Sequence, residues 1–291
     1  MKRKTCNSQP EPPDIRIFAE EVRKVFRGVI IGREIIFLES VTSTNDTAMD
    51  IGLRRNDPEG IVVVADAQSR GRGRHGRSWV SPPGVNLYFT VLLRMPLPVK
   101  DSQHIVFMAA VAAVTAIRDF TGLKAEIRWP NDILINGRKA GGILIDMKSD
   151  SVRKDIIALG IGINVNQSLK MLPEELREGA TSIKRERGSD VDRAGLFGGV
   201  LAQLESCYKI FLSGDKAVII NEWLSLDSTI GRTVTVEYVS ASSGADGSIS
   251  GIAEGIDDSG RLLVRLSSGG LHKVSAGDVT IEKNKDHLQK S

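Results

Sequence analysis

Residues Ile105 to Ile117 (IVFMAAVAAVTAI) form an apolar run of 13 residues, interrupted only by Thr115. A segment that is apolar at every helical phase must be covered on every side. The run falls short of the ~20 residues that span a bilayer, so no membrane partner is expected. It predicts a buried, Ala-rich helix over Ser102–Phe120 and a fold whose other elements pack around it.

The flanking segments predict those elements. Ile15 to Arg27 has helical spacing, with Ile15, Phe18, Val22, Val25 and Phe26 on one face. Glu34–Glu39, Gly60–Ala67 and Asn86–Arg94 read as strands, and Ser43–Asp46 offers N-cap residues for a helix between the first two. Ile133–Asn136, Gly141–Met147 and Asp155–Val165 are further strands. Asn136-Gly137 between the first pair is a type I′ hairpin signal. Leu196–Leu212 and Lys216–Leu226 are helices. From Ser228 the pattern changes to short strands with Gly turns: Val234–Tyr238, Gly247–Ile256, Arg261–Leu266 and Leu271–Val274. The expected organisation is a disordered tail (1–14), an α+β domain with a mixed β-sheet flanked by helices (15–227), a small β-barrel (228–283) and a second tail (284–291).

Charge excludes some functions. Lys and Arg total 39 against 36 Asp and Glu, a net +3. Any attraction to nucleic acid must therefore be local. Two cysteines, Cys6 and Cys207, cannot build a disulfide framework or a four-cysteine zinc site. They suit a reducing compartment, and with no apolar leader near Met1 the expected location is the cytoplasm.

Four segments carry chemistry. Gly71-Arg72-Gly73-Arg74-His75-Gly76-Arg77, followed by Trp79, alternates flexible backbone with cations inside a long irregular loop. It suits a lid over a nucleotide or acyl phosphate, an RGG-like RNA-binding segment, or a merely solvated loop, and nothing within it chooses among them. Arg128-Trp129-Pro130-Asn131-Asp132 places an amide and a carboxylate at a turn, either for a ligand or as plain turn chemistry. Lys139-Ala140-Gly141-Gly142 sets a cation beside paired glycines, as a phosphate ligand or an exposed hairpin lysine. Gly160, Gly162 and Asn164 share a strand face, forming either a ligand groove or a close helix contact.

Together these segments are more specific than any one of them. Ser43-Thr44-Asn45, Gln68, the Gly71–Trp79 loop, Arg128–Asp132, Lys139–Gly142 and Gly160–Asn164 resemble the biotin protein ligase family in order and spacing. The resemblance covers about residues 35–283. It implies a class II synthetase/SH2-like catalytic domain followed by an SH3-like C-terminal domain. It implies an enzyme, a biotin–[biotin carboxyl-carrier protein] ligase. Biotin carboxylate attacks the α-phosphate of Mg·ATP to give biotinyl-5′-AMP and pyrophosphate. A carrier lysine then takes the biotinyl group and releases AMP. Lipoate or octanoate ligases of the same fold are the alternative, and an RNA-binding module through the Gly–Arg loop is the alternative from another class.

The resemblance also implies residue roles. Ser43, Thr44, Asn45 and Gln68 would bind the ureido end of biotin, and Gly160 and Gly162 would pass close to its apolar body. Arg72, Gly73, Arg74 and Lys139 would also bind biotin, with Lys139 holding its carboxylate and Arg72 and Arg74 supplying positive charge. Arg74, Arg77, Trp79, Arg128, Asn131, Lys139 and Asn164 would bind ATP and the adenylate. Lys139, Arg72, Arg74 and Asp132 are the catalytic candidates. ATP and biotin are substrates, Mg²⁺ arrives with ATP, and no dedicated metal site is expected. The partner is a biotin carboxyl carrier protein or carrier domain of a biotin-dependent carboxylase. Members are monomers or homodimers. Arg128 departs from the usual lysine, which keeps the charge and changes the geometry. Some members carry an N-terminal winged helix that represses biotin genes. Only 42 residues precede Ser43, so no DNA-binding domain is expected.

Overall fold

The computed structural model describes residues 15–94, 102–148, 155–239 and 246–282. The expected tails and Cys6 lie outside these residues. The first described element is α1 (Ile15–Val25), which buries Ile15, Phe18 and Val22 along one face as the spacing predicts, together with Ala19; Val25, expected on that face, is exposed at the helix end, and Phe26 lies just past it. Next come β1 (Ile35–Val41), α2 (Thr44–Arg54), β2 (Val62–Gln68), β3 (Leu87–Arg94), α3 (Ser102–Thr121), β4 (Ala125–Arg128), β5 (Asp132–Ile135), β6 (Arg138–Lys148) and β7 (Ile156–Ile163). The strands form one seven-stranded sheet in the order β1-β2-β3-β7-β6-β5-β4. Only β1 and β2 pair in parallel, and α2 makes their crossover. The fold is α+β with a mixed sheet, as expected.

Strand alternation sorts the residues onto two faces. Leu87, Phe89, Val91 and Leu93 of β3 and Ile157, Leu159, Ile161 and Ile163 of β7 point into the main core. There they meet α3, α6 (Arg193–Leu212) and α7 (Lys216–Leu226). By length and composition α3 could cross a membrane, because the helix runs 20 residues, longer than its apolar run. The covering layers are what place it: residues His104–Val114, Ala116 and Ile117 are all buried. Each large apolar side chain so buried contributes about 1.5–3 kcal/mol. The opposite face of β2, β3 and β7 is covered by α2 through a smaller cluster, Ala48, Met49, Ile61, Val63, Leu92, Ile156 and Ala158. That cluster stops before Thr90, Gly160 and Gly162, and the gap it leaves is the site.

Asn136 and Gly137 have φ of 51° and 72°, and Ile135 pairs with Arg138. This is the two-residue turn the sequence predicts. Four elements were not anticipated: β4, the short helices α4 (Glu174–Arg177) and α5 (Ile183–Arg187), and the last strand. Each is only four or five residues long, below the window in which periodicity shows.

The C-terminal strands are β8 (Thr233–Val239), β9 (Asp246–Ile256), β10 (Leu262–Leu266), β11 (Leu271–Val274) and β12 (Asp278–Ile281). They form a separate five-stranded antiparallel sheet, ordered β11-β10-β9-β8-β12. Its buried residues, among them Val234, Val236, Ala253, Leu262 and Val264, join the main core. The joint forms around Trp129. Its backbone N–H donates to Thr229 Oγ1 at 2.9 Å and its indole N–H to the Gly260 carbonyl at 3.0 Å. Gly260 has φ +75°, and a Cβ there would lie 2.7 Å from Gln103, so this turn needs glycine on both counts.

Candidate active site

Every residue given a binding or catalytic role above lines one cavity of about 390 Å³, a volume suited to a small-molecule ligand; Gly71, His75, Gly76, Trp129, Pro130, Ala140 and Gly141 of the same motifs do not. Ser43, Thr44 and Asn45 open α2, Gln68 closes β2, and residues 72–79 arch over the mouth. Arg128, Asn131 and Asp132 come from the turn between β4 and β5, Lys139 from β6, and Gly160, Gly162 and Asn164 from β7 and its end.

The α2 end is not built as a simple cap. Ser43 occupies the N-cap position with extended backbone, yet its side chain caps nothing. Gln68 reaches in instead: its Oε1 accepts from the Thr44 N–H at 2.9 Å, and its amide donates to Ser81 Oγ at 2.9 Å. Thr90 Oγ1 lies 2.6 Å from Asn45 Oδ1 and 2.9 Å from Thr44 Oγ1. The Asn45 amide donates to Asp146 Oδ2 at 2.8 Å. Thr44, Asn45 and Thr90 are buried, and half-buried Gln68 and Asp146 hold them from the sides, so together they present a preorganised polar end. Thr90 and Asp146 were missed. A polar residue inside each apolar strand was the available signal.

Glycines form the floor because side chains lie on them. A Cβ on Gly160 would sit 2.1 Å from Asn45 Oδ1, and one on Gly162 would sit 2.7 Å from the Trp79 ring. The sequence reading left this clearance to a ligand groove or to a close helix contact. In the structure Asn45 of α2 uses it over Gly160, and Trp79 uses it over Gly162.

The Gly–Arg segment is an ordered hairpin. Arg72 bridges to Ser78, and the Gly73 N–H donates to the Arg77 carbonyl at 2.7 Å. His75 sits at its tip with φ 54°. Arg72 reaches Asp46 at 2.7 Å and Asp146 at 2.6 Å. Arg74 donates to Asn131 Oδ1 at 3.2 Å and to the Gly277 carbonyl at 3.4 Å. Burial lowers the Arg74 pKa, with Asp132 opposing. Burial beside Arg74 and Arg77 lowers His75 as well, which favours its neutral form. Arg77 pairs with Asp278.

Asp132 is the charge centre. It pairs with Lys139 through Oδ1 and with Arg128 through Oδ2, the latter at 2.6 Å. Burial alone would raise its pKa, but the two cations outweigh burial and hold it below the usual carboxylate range. Lys139 also lies 5.6 Å from the Trp79 ring centre, within cation–π reach. Residues 179–181 run alongside Lys139 in a parallel bridge. Leu172, Glu175, Leu176, Gly179 and Ala180 complete that wall, and Asp278 closes the far side. None of these carried a sequence signal.

The cavity thus joins a rigid polar end to a cationic end across a glycine floor. Residues 37–164 match the Biotin/lipoate A/B protein ligase family, and residues 229–281 match the Biotin protein ligase C terminal domain. The chain belongs to the biotin protein ligase family. Bifunctional ligase/repressor BirA of Bacillus subtilis is 34% identical over 266 residues, which is 91% of this chain and 79% of that protein. Biotin--[acetyl-CoA-carboxylase] ligase of Mycobacterium tuberculosis is 31% identical over 83% of this chain and 88% of its own. Biotin protein ligase from Aquifex aeolicus, solved with biotin and ATP, superposes with a TM-score of 0.71 at 27% identity, covering 86% of this chain and 99% of that one. A biotin protein ligase needs one site that takes an acid and a nucleotide side by side, and this elongated cavity fits that need.

Proposed function

We propose that this biotin protein ligase activates biotin with ATP and transfers it to a lysine of a carboxylase carrier protein. The observation that carries the reading is the convergence of all the residues given a binding or catalytic role on one cavity with a polar end and a cationic end. Biotin lies with its ureido ring against Ser43, Thr44, Asn45 and Gln68. Thr44 and Asn45 are held in place by Gln68, Thr90 and Asp146, so a ring lacking matching donors and acceptors desolvates them without compensation and is rejected by several kcal/mol. The match of the C-terminal region to the biotin ligase domain favours biotin over lipoate.

In the first step a carboxylate oxygen of biotin attacks the α-phosphorus of ATP, and pyrophosphate leaves. Two anions must meet, and Lys139, Arg72 and Arg74 offset their repulsion. Arg77, Arg128, Asn131, Trp79 and Asn164 hold the nucleotide. Magnesium enters with ATP as part of the substrate. Substrate phosphates and water would supply most of its ligands, as is usual for Mg²⁺ at a nucleotide. In the second step the carrier lysine amine attacks the acyl carbonyl, forming an amide and releasing AMP. Asp132 orients Lys139 and aids the incoming amine. The hairpin keeps water from the anhydride.

We assign the reaction to the cytoplasm, since it consumes ATP and the cysteines suit a reducing compartment. With a net charge of only +3, the reading includes no operator DNA, and a salt-sensitive gel shift with operator DNA would overturn that part. The deciding experiment mixes the protein with Mg·ATP and either biotin or lipoate and reads the acyl adenylate by mass spectrometry. Biotinyl-5′-AMP from biotin alone is expected. No adenylate from a folded sample, or lipoyl-AMP only, overturns the reading.

A further inference from the structure

The C-terminal domain touches the cavity at one side chain, Asp278, the first residue of β12. Asp278 pairs with Arg77 at the base of the Gly–Arg hairpin. Beside it, the Gly277 carbonyl accepts from Arg74, whose guanidinium also donates to Asn131 Oδ1. The hairpin, the β4–β5 turn and the C-terminal domain therefore meet at Arg74 and Arg77. The same turn is held from behind, where Thr229 and Gly260 accept from Trp129. We propose that Asp278 is a positioning residue for the ligase reaction. Through it the C-terminal domain fixes Arg77, and with it the hairpin, before nucleotide arrives.

The proposal rests on the functional reading above, in which Arg77 binds phosphate. An arginine fork has five N–H donors. One edge can stay on Asp278 while another takes a phosphate oxygen, so the pair need not break on ATP binding. The charge of Asp278 is already offset by Arg77, so it adds little repulsion toward the triphosphate. What it supplies is orientation, whose loss appears in nucleotide use and leaves biotin binding alone. The arginine side chain is 61% exposed and the aspartate 37%. For such a partly exposed pair the expected effect is modest, about fivefold.

The test compares Asp278→Asn, Asp278→Glu, Arg77→Gln and the double variant Asp278→Asn/Arg77→Gln in full-length protein. Asp278→Asn should raise the KM for ATP about fivefold with an unchanged biotin Kd, and Asp278→Glu should recover most of it. In the Arg77→Gln background Asp278→Asn should have no further effect. A readout without ligand guards against a fold defect: trypsin should nick Arg72–Arg77 faster in Asp278→Asn while its Tm stays with the parent. An unchanged or lower KM for ATP, or additive effects in the double variant, overturns the proposal. Failure of the parent protein to form biotinyl-5′-AMP would instead remove the functional reading beneath it.

Discussion

Asp132 holds two cations at once, and that arrangement sets what single substitutions should do. Lys139 is kept in the cavity wall by Asp132 on one side and the Trp79 ring on the other. Its charge is therefore placed before substrate arrives, which is where electrostatic catalysis gains most. Lys139→Ala should cut biotinyl-5′-AMP formation about 100-fold or more. Because the side chain is one-third exposed, Tm should stay within a few degrees of the parent. A variant that folds and keeps most of its adenylation rate would remove Lys139 from the mechanism. Gly160→Ala acts at the other end. Its Cβ would meet Asn45 Oδ1 at 2.1 Å, so Asn45 must turn away from Thr90 and Asp146 and leave its own buried amide unpaired. Leaving such groups unsatisfied costs about 1–3 kcal/mol. Biotin affinity should fall about tenfold or more by calorimetry, and an unchanged affinity would place biotin elsewhere.

At the scale of elements, the long loop and the strands were legible for different reasons. β3 and β7 announce themselves by apolar runs, and the Asn136-Gly137 turn by the backbone that only such a pair adopts readily. The main helix was legible because its apolar run covers every helical phase, and the layers packed on it confirm its burial. The site was legible as residues and not as geometry. The family resemblance named Arg72 and Asp132, yet only the folded chain shows Arg72 tied to Asp46 and Asp146 and Asp132 shared by Lys139 and Arg128. Residues 172–180 and Asp278 stayed hidden because they line the cavity through tertiary placement, with no motif of their own. The Gly71–Trp79 hairpin is held by few backbone bonds and partly exposed ion pairs, so its opening costs little. Trypsin should nick between Arg72 and Arg77 readily in free enzyme and several-fold more slowly with saturating biotin. Equal rates with and without ligand would argue that the hairpin is no lid.

At the scale of the whole molecule, the joint between the two parts carries a titratable group. Asp227 follows α7, forms a bridge with Ile127 of β4, and accepts the N–H groups of Thr229 at 2.8 Å and Ile230 at 2.6 Å. Burial in the joint nevertheless dominates and pushes its carboxyl up from 3.8 to about 6. The unfolded chain releases this proton near pH 4, and the folded chain holds it until about pH 6. Between those values the native state binds more protons, so its stability falls as pH rises. The loss is complete above pH 6 and amounts to about 3 kcal/mol, two units at about 1.4 kcal/mol each. Asp132 has the opposite sign and acts lower. Held below the usual range, it contributes stability above its unfolded pKa and loses it as pH falls from there through its lower folded pKa. Asp227→Asn removes the titration while keeping an oxygen that can accept from Thr229 and Ile230. Urea unfolding of both proteins from pH 4 to pH 7.5 should show the parent losing about 3 kcal/mol relative to Asp227→Asn across that range. Because every other group titrates equally in the two proteins, parallel curves would mean that the joint stays open to water and that the two domains are less tightly seated than the contacts at Trp129 describe.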